Sequence, residues 1–217
     1  MRLLPGFVLS KFQNISGKAG QYMELPKSCK IMYCYKYEDC MSLCNELLGT
    51  LKRPCVVGLD VEWPFAPKGC SPKVAVLQLC LSMDACFVFH VSQMRFLPDS
   101  LKFLLEDEHI TKVGINVSQD LKKLGAQFNV SETVHVNLDE MAVTILGECP
   151  RGNWGLSSLC LKLFGKQVRK QQYVVRSSWD KFPLTDEQMQ YAGLDAYASL
   201  ILYLRLCKLK QSLQVKL

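Results

Sequence analysis

The sequence predicts an α/β fold: a mixed β-sheet with helices on its faces. Three observations carry this. Three apolar, β-rich segments follow one another between residues 55 and 91, helical and extended periodicity then alternate to about residue 146, and a long helical segment comes last. Consecutive strands imply antiparallel neighbours and strand–helix alternation implies parallel ones, so the early strands are expected to pair antiparallel and the later ones parallel.

Taken in order, Lys30–Tyr35 reads as a first short strand. Residues 37–51 have helical spacing, with Met41, Leu43, Cys44, Leu47, Leu48 and Leu51 apolar. Cys55-Val56-Val57-Gly58-Leu59-Asp60-Val61 is apolar throughout, as an interior strand should be. Val74–Leu81 and Cys86–Val91 read as two further strands joined by a turn at Ser82-Met83-Asp84. Helices are expected over 97–105, 118–128, 139–146 and 155–164, and short strands over 111–115 and 134–137. A long final helix is expected over 182–206, with Thr185-Asp186-Glu187-Gln188 as a capping box at its start.

A length of 217 residues suits one sizeable domain, placed at 23–210, with 1–22 as a flexible N-terminal segment. The balance of 49% hydrophobic and 21% charged residues excludes a disordered or fibrous chain. No stretch reaches the roughly 18 uninterrupted apolar residues of a membrane span. The first residues are too short and too broken by Pro5 and Gly6 for a signal peptide, so an intracellular protein is expected. A net charge of +6 suits a polyanionic partner. The 11 cysteines form no Cys-x-x-Cys pair and no Cys/His ligand spacing, which excludes a zinc module and leaves buried free thiols as the reading, including the cluster Cys34, Cys40 and Cys44.

The chemistry lies in the acids. Asp60 and Glu62 stand two apart at the end of an apolar strand, so both side chains face one way. Buried acids must be paired, protonated or bound to metal. No Lys or Arg is adjacent, and a hard divalent cation such as Mg²⁺ or Mn²⁺ would serve; solvation at a surface strand end is the other reading of the pair. Tyr191 and Asp195 lie at i and i+4 on the last helix and share one face. The small residues around them, Ala192, Gly193, Ala196 and Ala198, would let that helix approach the sheet. Asp120 falls where a strand hands over to a helix; a first-turn Asp favoured by the helix dipole accounts for it equally well.

The order Asp-x-Glu on a strand, Asp at a helix start and Tyr-x-x-x-Asp on a late helix resembles the DEDD exonucleases in their tyrosine branch. The histidine branch has His five residues before the last Asp, where this chain has Gln190. The blocks Val57–Pro64, Lys73–Cys80, Phe89–Ser92, Leu163–Gln167 and Ser178–Thr185 look like exonuclease domains of the Werner type, and the likeness runs from about Leu25 to Leu206. It implies a ribonuclease H-like exonuclease fold and two-metal hydrolysis of phosphodiester bonds from a 3′ end, with Mg²⁺ or Mn²⁺. It further implies that Asp60 bridges two ions, that Glu62 and Asp195 complete the first site, and that Asp120 holds the second through water. Tyr191, with an ordinary pKa of about 10, would orient the attacking water. DNA with a 3′ end is the implied partner, RNA a possible one, and DNA repair or replication maintenance in the nucleus the implied setting.

Lys162, Lys166, Arg169, Lys170 and Arg176 form a basic cluster before the last helix, read either as phosphate contacts or as a solvated face. Trp63 is read as a stacking platform for a terminal base or as a core side chain; Trp179 and His90 are read as structural. Gly165-Lys166 is not a nucleotide-binding loop, because Cys160 and Gln167 stand where Gly and Ser or Thr are required, so no helicase is expected within these residues. Two other functions are consistent with the motifs: a catalytically silent nucleic-acid-binding module, and a ribonuclease D-like RNA-processing exonuclease.

Overall fold

Burial along one strand organises the molecule. In a computed structural model, which describes residues 21–67, 69–131, 133–150, 152–169 and 171–214, the elements run in the order β1 (Gln21–Tyr22), β2 (Lys30–Cys34), α1 (Tyr37–Thr50), β3 (Cys55–Glu62), β4 (Val76–Ser82) and β5 (Ala85–Phe89), followed by α2 (Asp99–Glu106), β6 (Ile110–Gly114), α3 (Val117–Phe128), β7 (His135–Asn137), α4 (Leu138–Leu146), α5 (Leu156–Phe164), β8 (Lys166–Gln167), α6 (Gln172–Val175) and α7 (Asp186–Gln214). The main sheet has six strands in the order β2-β5-β4-β3-β6-β7. Its centre, β3, is buried on both faces, which explains why its sequence is continuously apolar rather than alternating.

Pairing is mixed. The β3–β4–β5 meander is antiparallel, whereas β6 joins β3, and β7 joins β6, in parallel. The expectation of antiparallel pairing for the early strands fails at β2, which lies parallel to β5 at the sheet edge. The crossover through α1 returns the chain in β3 along the direction of β2, and two hairpin reversals bring β5 into that direction as well.

The two faces carry separate cores. Val57, Leu59 and Val61 of β3 pack with buried residues of α1, α2 and α3. Val56 turns to the other face, where α4, α5 and α7 pack. Helix α7 crosses the middle of this second face, and every residue from Asp195 to Leu204 is buried. Such a helix has no polar stripe because it has no solvent side there. It begins later and ends later than expected, at Asp186 and Gln214. Its start is the capping box expected from the sequence: Gln188 N–H donates to Thr185 Oγ1 at 3.2 Å, and Thr185 N–H donates to Gln188 Oε1 at 2.9 Å.

Residues 1–20 of the expected flexible segment lie outside the described residues, but Gln21–Tyr22 pair in parallel with Lys166–Gln167 in a small second sheet. The cysteines are free, and Cys34, Cys40 and Cys44 are buried in the α1 side of the core. No helix among the described residues is long and apolar enough to cross a membrane.

Candidate active site

The site forms where α7 crosses the end of β3. Positions 58, 60 and 62 alternate onto the α7 face. A methyl group on Gly58 would meet the main-chain oxygen of Ala196 at 2.0 Å, so the two backbones touch there. Gly58 is a site-building residue that the motif reading passes over; its signal was a lone Gly inside a strand, which marks close backbone approach. With Ala196 against Gly58 and Ala192 fully buried one turn earlier, the helix delivers Asp195 to the strand.

One oxygen from each of Asp60, Glu62 and Asp195 lies within 4.8 Å of the others. Asp195 is buried; Asp60 and Glu62 are partly so. Burial pushes the Asp60 carboxyl well above the ordinary range, and the charges of Glu62, Asp120 and Asp195 push it the same way. Burial also raises Asp120, to about 7, against a smaller opposing pull from Lys123. Crowded hard oxygen donors on a rigid frame are a donor set that fits a divalent cation, which would return these acids to their ionised forms. Of the two readings of the Asp60–Glu62 pair, solvation at a surface strand end is not what the structure shows, since Asp195 closes over it.

Asp120 reaches the site from another layer. It is buried in the first turn of α3, after Asn116 takes a left-handed conformation with φ 52°. The start of α3 is capped from outside: Asn137 Oδ1 accepts from the Ser118 N–H at 3.1 Å and Asp139 Oδ1 accepts from the Asn116 N–H at 3.0 Å. Asn137 and Asp139 therefore hold the segment that presents Asp120. No local spacing marks them, because the caps come from the β7–α4 junction rather than from the helix's own preceding residues.

Tyr191 sits one helical turn before Asp195, and its hydroxyl hydrogen-bonds the Asp195 carboxyl. Burial, then the charges of Asp195, Glu62 and Asp60, push the Tyr191 hydroxyl far above its ordinary pKa, so it keeps its proton. Its ring packs on Trp179, centroid to centroid 6.1 Å, and Trp179 is fully buried. Trp179 is held in turn by His90: one ring nitrogen bonds the Trp179 carbonyl at 2.9 Å and the other bonds the Tyr33 hydroxyl at 2.6 Å. His90 and Trp179 are thus structural, as read from the sequence, and they buttress Tyr191.

The expected nucleic-acid contacts are dispersed. Lys166 belongs to β8 and is half-buried; Arg169 is exposed with its guanidinium over the Tyr22 ring at 4.5 Å; Lys170 lies outside the described residues. Arg176 is exposed and lies over the ring of Phe65, itself exposed, at 5.9 Å. Trp63 packs partly against the α1–α3 core, with the Lys123 ammonium 4.0 Å over its ring. Phe65, three residues beyond Glu62, is the exposed aromatic nearest in sequence to the acids and was not anticipated.

A family model described as 3′-5′ exonuclease matches residues 32–211, from β2 to α7. The chain is 40% identical over 195 residues to mouse "Bifunctional 3′-5′ exonuclease/ATP-dependent helicase WRN", covering 89% of this chain and 14% of that protein. It is 39% identical over 149 residues to a 3′-5′ exonuclease of Arabidopsis thaliana, covering 68% of this chain and 51% of the relative. It therefore spans at most about half the length of these two relatives. Among solved structures, the exonuclease domain of Aedes aegypti Nibbler superposes with a TM-score of 0.72 at 20% identity, over 89% of this chain and 94% of that one. Escherichia coli RNase D, "an exoribonuclease involved in structured RNA processing", superposes at 0.69 and 21%, over 84% and 46%. These structures establish the ribonuclease H-like exonuclease fold alone. The family match across the six-stranded sheet and the three converging acids, with the charge of Asp120 acting on Asp60, lead to one assignment: the chain belongs to the 3′→5′ exonuclease family, DEDD-type nucleases that hydrolyse phosphodiester bonds.

Proposed function

We propose that the chain is a metal-dependent exonuclease that removes nucleotides from the 3′ end of DNA, working in DNA repair or replication maintenance in the nucleus. The observation that carries this is the convergence of the Asp60, Glu62 and Asp195 oxygens within 4.8 Å, with Asp120 acting on Asp60. Asp60, Glu62 and Asp195 would hold one divalent cation, and Asp60 with Asp120 a second. Bound there, such ions supply a water acidic enough to ionise near neutrality and charge compensation at the leaving 3′ oxygen. Tyr191 keeps its proton, so it serves as an aligning hydroxyl for the attacking water and not as a base. Arg169, Arg176, Lys166 and Lys170 contact phosphates, and Phe65 and Trp63 border the path of the strand.

DNA is preferred over RNA because the 40% identity is to a protein whose name joins exonuclease to helicase, whereas the likeness to RNase D is one of fold at 21%. An RNA substrate is the second reading, favoured by that fold likeness. The test is digestion of matched 3′-labelled DNA and RNA strands with Mg²⁺, Mn²⁺ or EDTA, beside Asp60→Asn. Metal-dependent shortening of DNA, lost in Asp60→Asn, is expected. Shortening of RNA alone moves the assignment to RNA processing, and binding without shortening moves it to a silent module. The nuclear setting is tested by locating a tagged chain in cells.

A further inference from the structure

Gln78 is the register partner of Asp60 in the antiparallel β3–β4 ladder, so both side chains stand on the face that α7 covers. Val76 and Cys80 flank it along β4 and Val88 faces it from β5, all fully buried. Gln78 is itself 0% exposed, and neither its amide nitrogen nor its amide oxygen has a hydrogen-bond partner. The other buried amide nearby, Gln188, is engaged at both ends, by Ser177 and by Thr185. A buried amide that bonds nothing is a burden on folding that Leu or Met at the same place would not impose. The polar side chain opposite it in the ladder is Asp60, within the reach of a Gln side chain across one strand spacing.

We propose that Gln78 is a positioning residue for Asp60: its amide N–H donates to the Asp60 carboxylate when divalent cations fill the acidic cluster, and so fixes the direction in which Asp60 offers its oxygens. A neutral donor suits this task. A Lys or Arg in its place would cancel the negative charge that the cations need, whereas an amide orients the carboxylate and leaves its charge intact. The inference rests on the metal-dependent reading given above.

The test uses the full 217-residue chain stripped of metal, with Gln78→Leu and Gln78→Met beside the parent. Mn²⁺ binding is titrated by electron paramagnetic resonance of the free ion, and melting is followed in EDTA. Both variants are expected to melt in EDTA at or above the parent temperature while binding Mn²⁺ about 10–100-fold more weakly. Gln78→Met, unbranched and of similar length, carries the result if Leu disturbs packing. Mn²⁺ binding equal to the parent overturns the proposal, and a lowered melting temperature with equal binding identifies a purely structural amide. If the parent binds no Mn²⁺, the metal-dependent reading falls and this inference with it; if parent and variants bind alike, only this inference falls.

Discussion

Two adjacent strands each bury ionisable groups, and they treat them in opposite ways. On β6, Lys112 is fully buried; its ammonium donates to the Asp107 carbonyl at 2.9 Å and to Thr133 Oγ1 at 2.7 Å. Burial lowers its pKa to about 8, and the nearby acids Asp107 and Glu106 oppose the shift. Its register partner across the ladder is Val57, three residues before Asp60 on β3. The charges that act on Asp60 are all of its own sign. The lysine is completed by the chain that carries it, whereas the acids at the end of β3 repel one another and are completed by something that arrives from outside. Charge of one sign gathered on a rigid frame is thus a mark of a working site, and buried charge alone is not.

Asp60→Asn is expected to cut the exonuclease rate by about 10³–10⁴-fold while raising the melting temperature in EDTA, because it removes repulsion and activity together. A parallel rate assay and thermal melt check both halves, and a destabilised variant would break the comparison. Tyr191→Phe should lower kcat by about 10²-fold even at saturating Mn²⁺, in line with the proposed role of the hydroxyl in aligning water; measuring kcat beside a metal titration separates this effect from the loss of the hydrogen bond to Asp195. Lys112→Met should do the reverse of Asp60→Asn. It removes the ammonium from Thr133 Oγ1 and leaves the Asp107 carbonyl with the Ile110 N–H alone of its two donors, costs about 1–3 kcal/mol in urea melts, and spares the rate per folded molecule.

Asp120 releases its proton near 3.8 when unfolded and near 7 when folded. Between these values the folded state holds more protons, so metal-free stability falls as pH rises from about 4 to about 7. Asp60 is raised too and contributes in the same direction. Asp120→Asn should therefore reduce this slope without abolishing it, and saturating Mn²⁺ should flatten it; urea melts at several pH values read the effect. Lys112 makes no contribution in that window, because its stabilisation is lost only as pH falls from the unfolded value of 10.5 through about 8.

How much of this was legible depends on how local each signal is. Strand and helix periods put Asp60 with Glu62 and Tyr191 with Asp195 on shared faces, but it took the resemblance in the order of the motifs to mark the pairs as a site. The capping box at Thr185 is local as well. Asp120 had little physical signal of its own, since its neighbours Asn137 and Asp139 are distant in sequence and ordinary in type. The parallel pairing of β2 with β5, and of β1 with β8, joins segments far apart along the chain, and no periodicity of one strand names its partner. Gln78 was hidden for a related reason: it sits in an apolar strand like any tolerated polar residue, and only the register with Asp60 gives it meaning.

Helix α7 has one further consequence. The same rigid body supplies Tyr191 and Asp195 to the acids and runs buried from Asp195 to Leu204 through the centre of the second core. Its amides from Asp195 to Leu204 should exchange hydrogen only when the whole domain unfolds, which places Asp195 in a slowly exchanging part of the protein. A nucleic-acid end cannot be admitted by moving that helix. The segment 64–67 after β3, which carries the exposed Phe65, should exchange faster, and a strand bound beside the acids should slow its exchange.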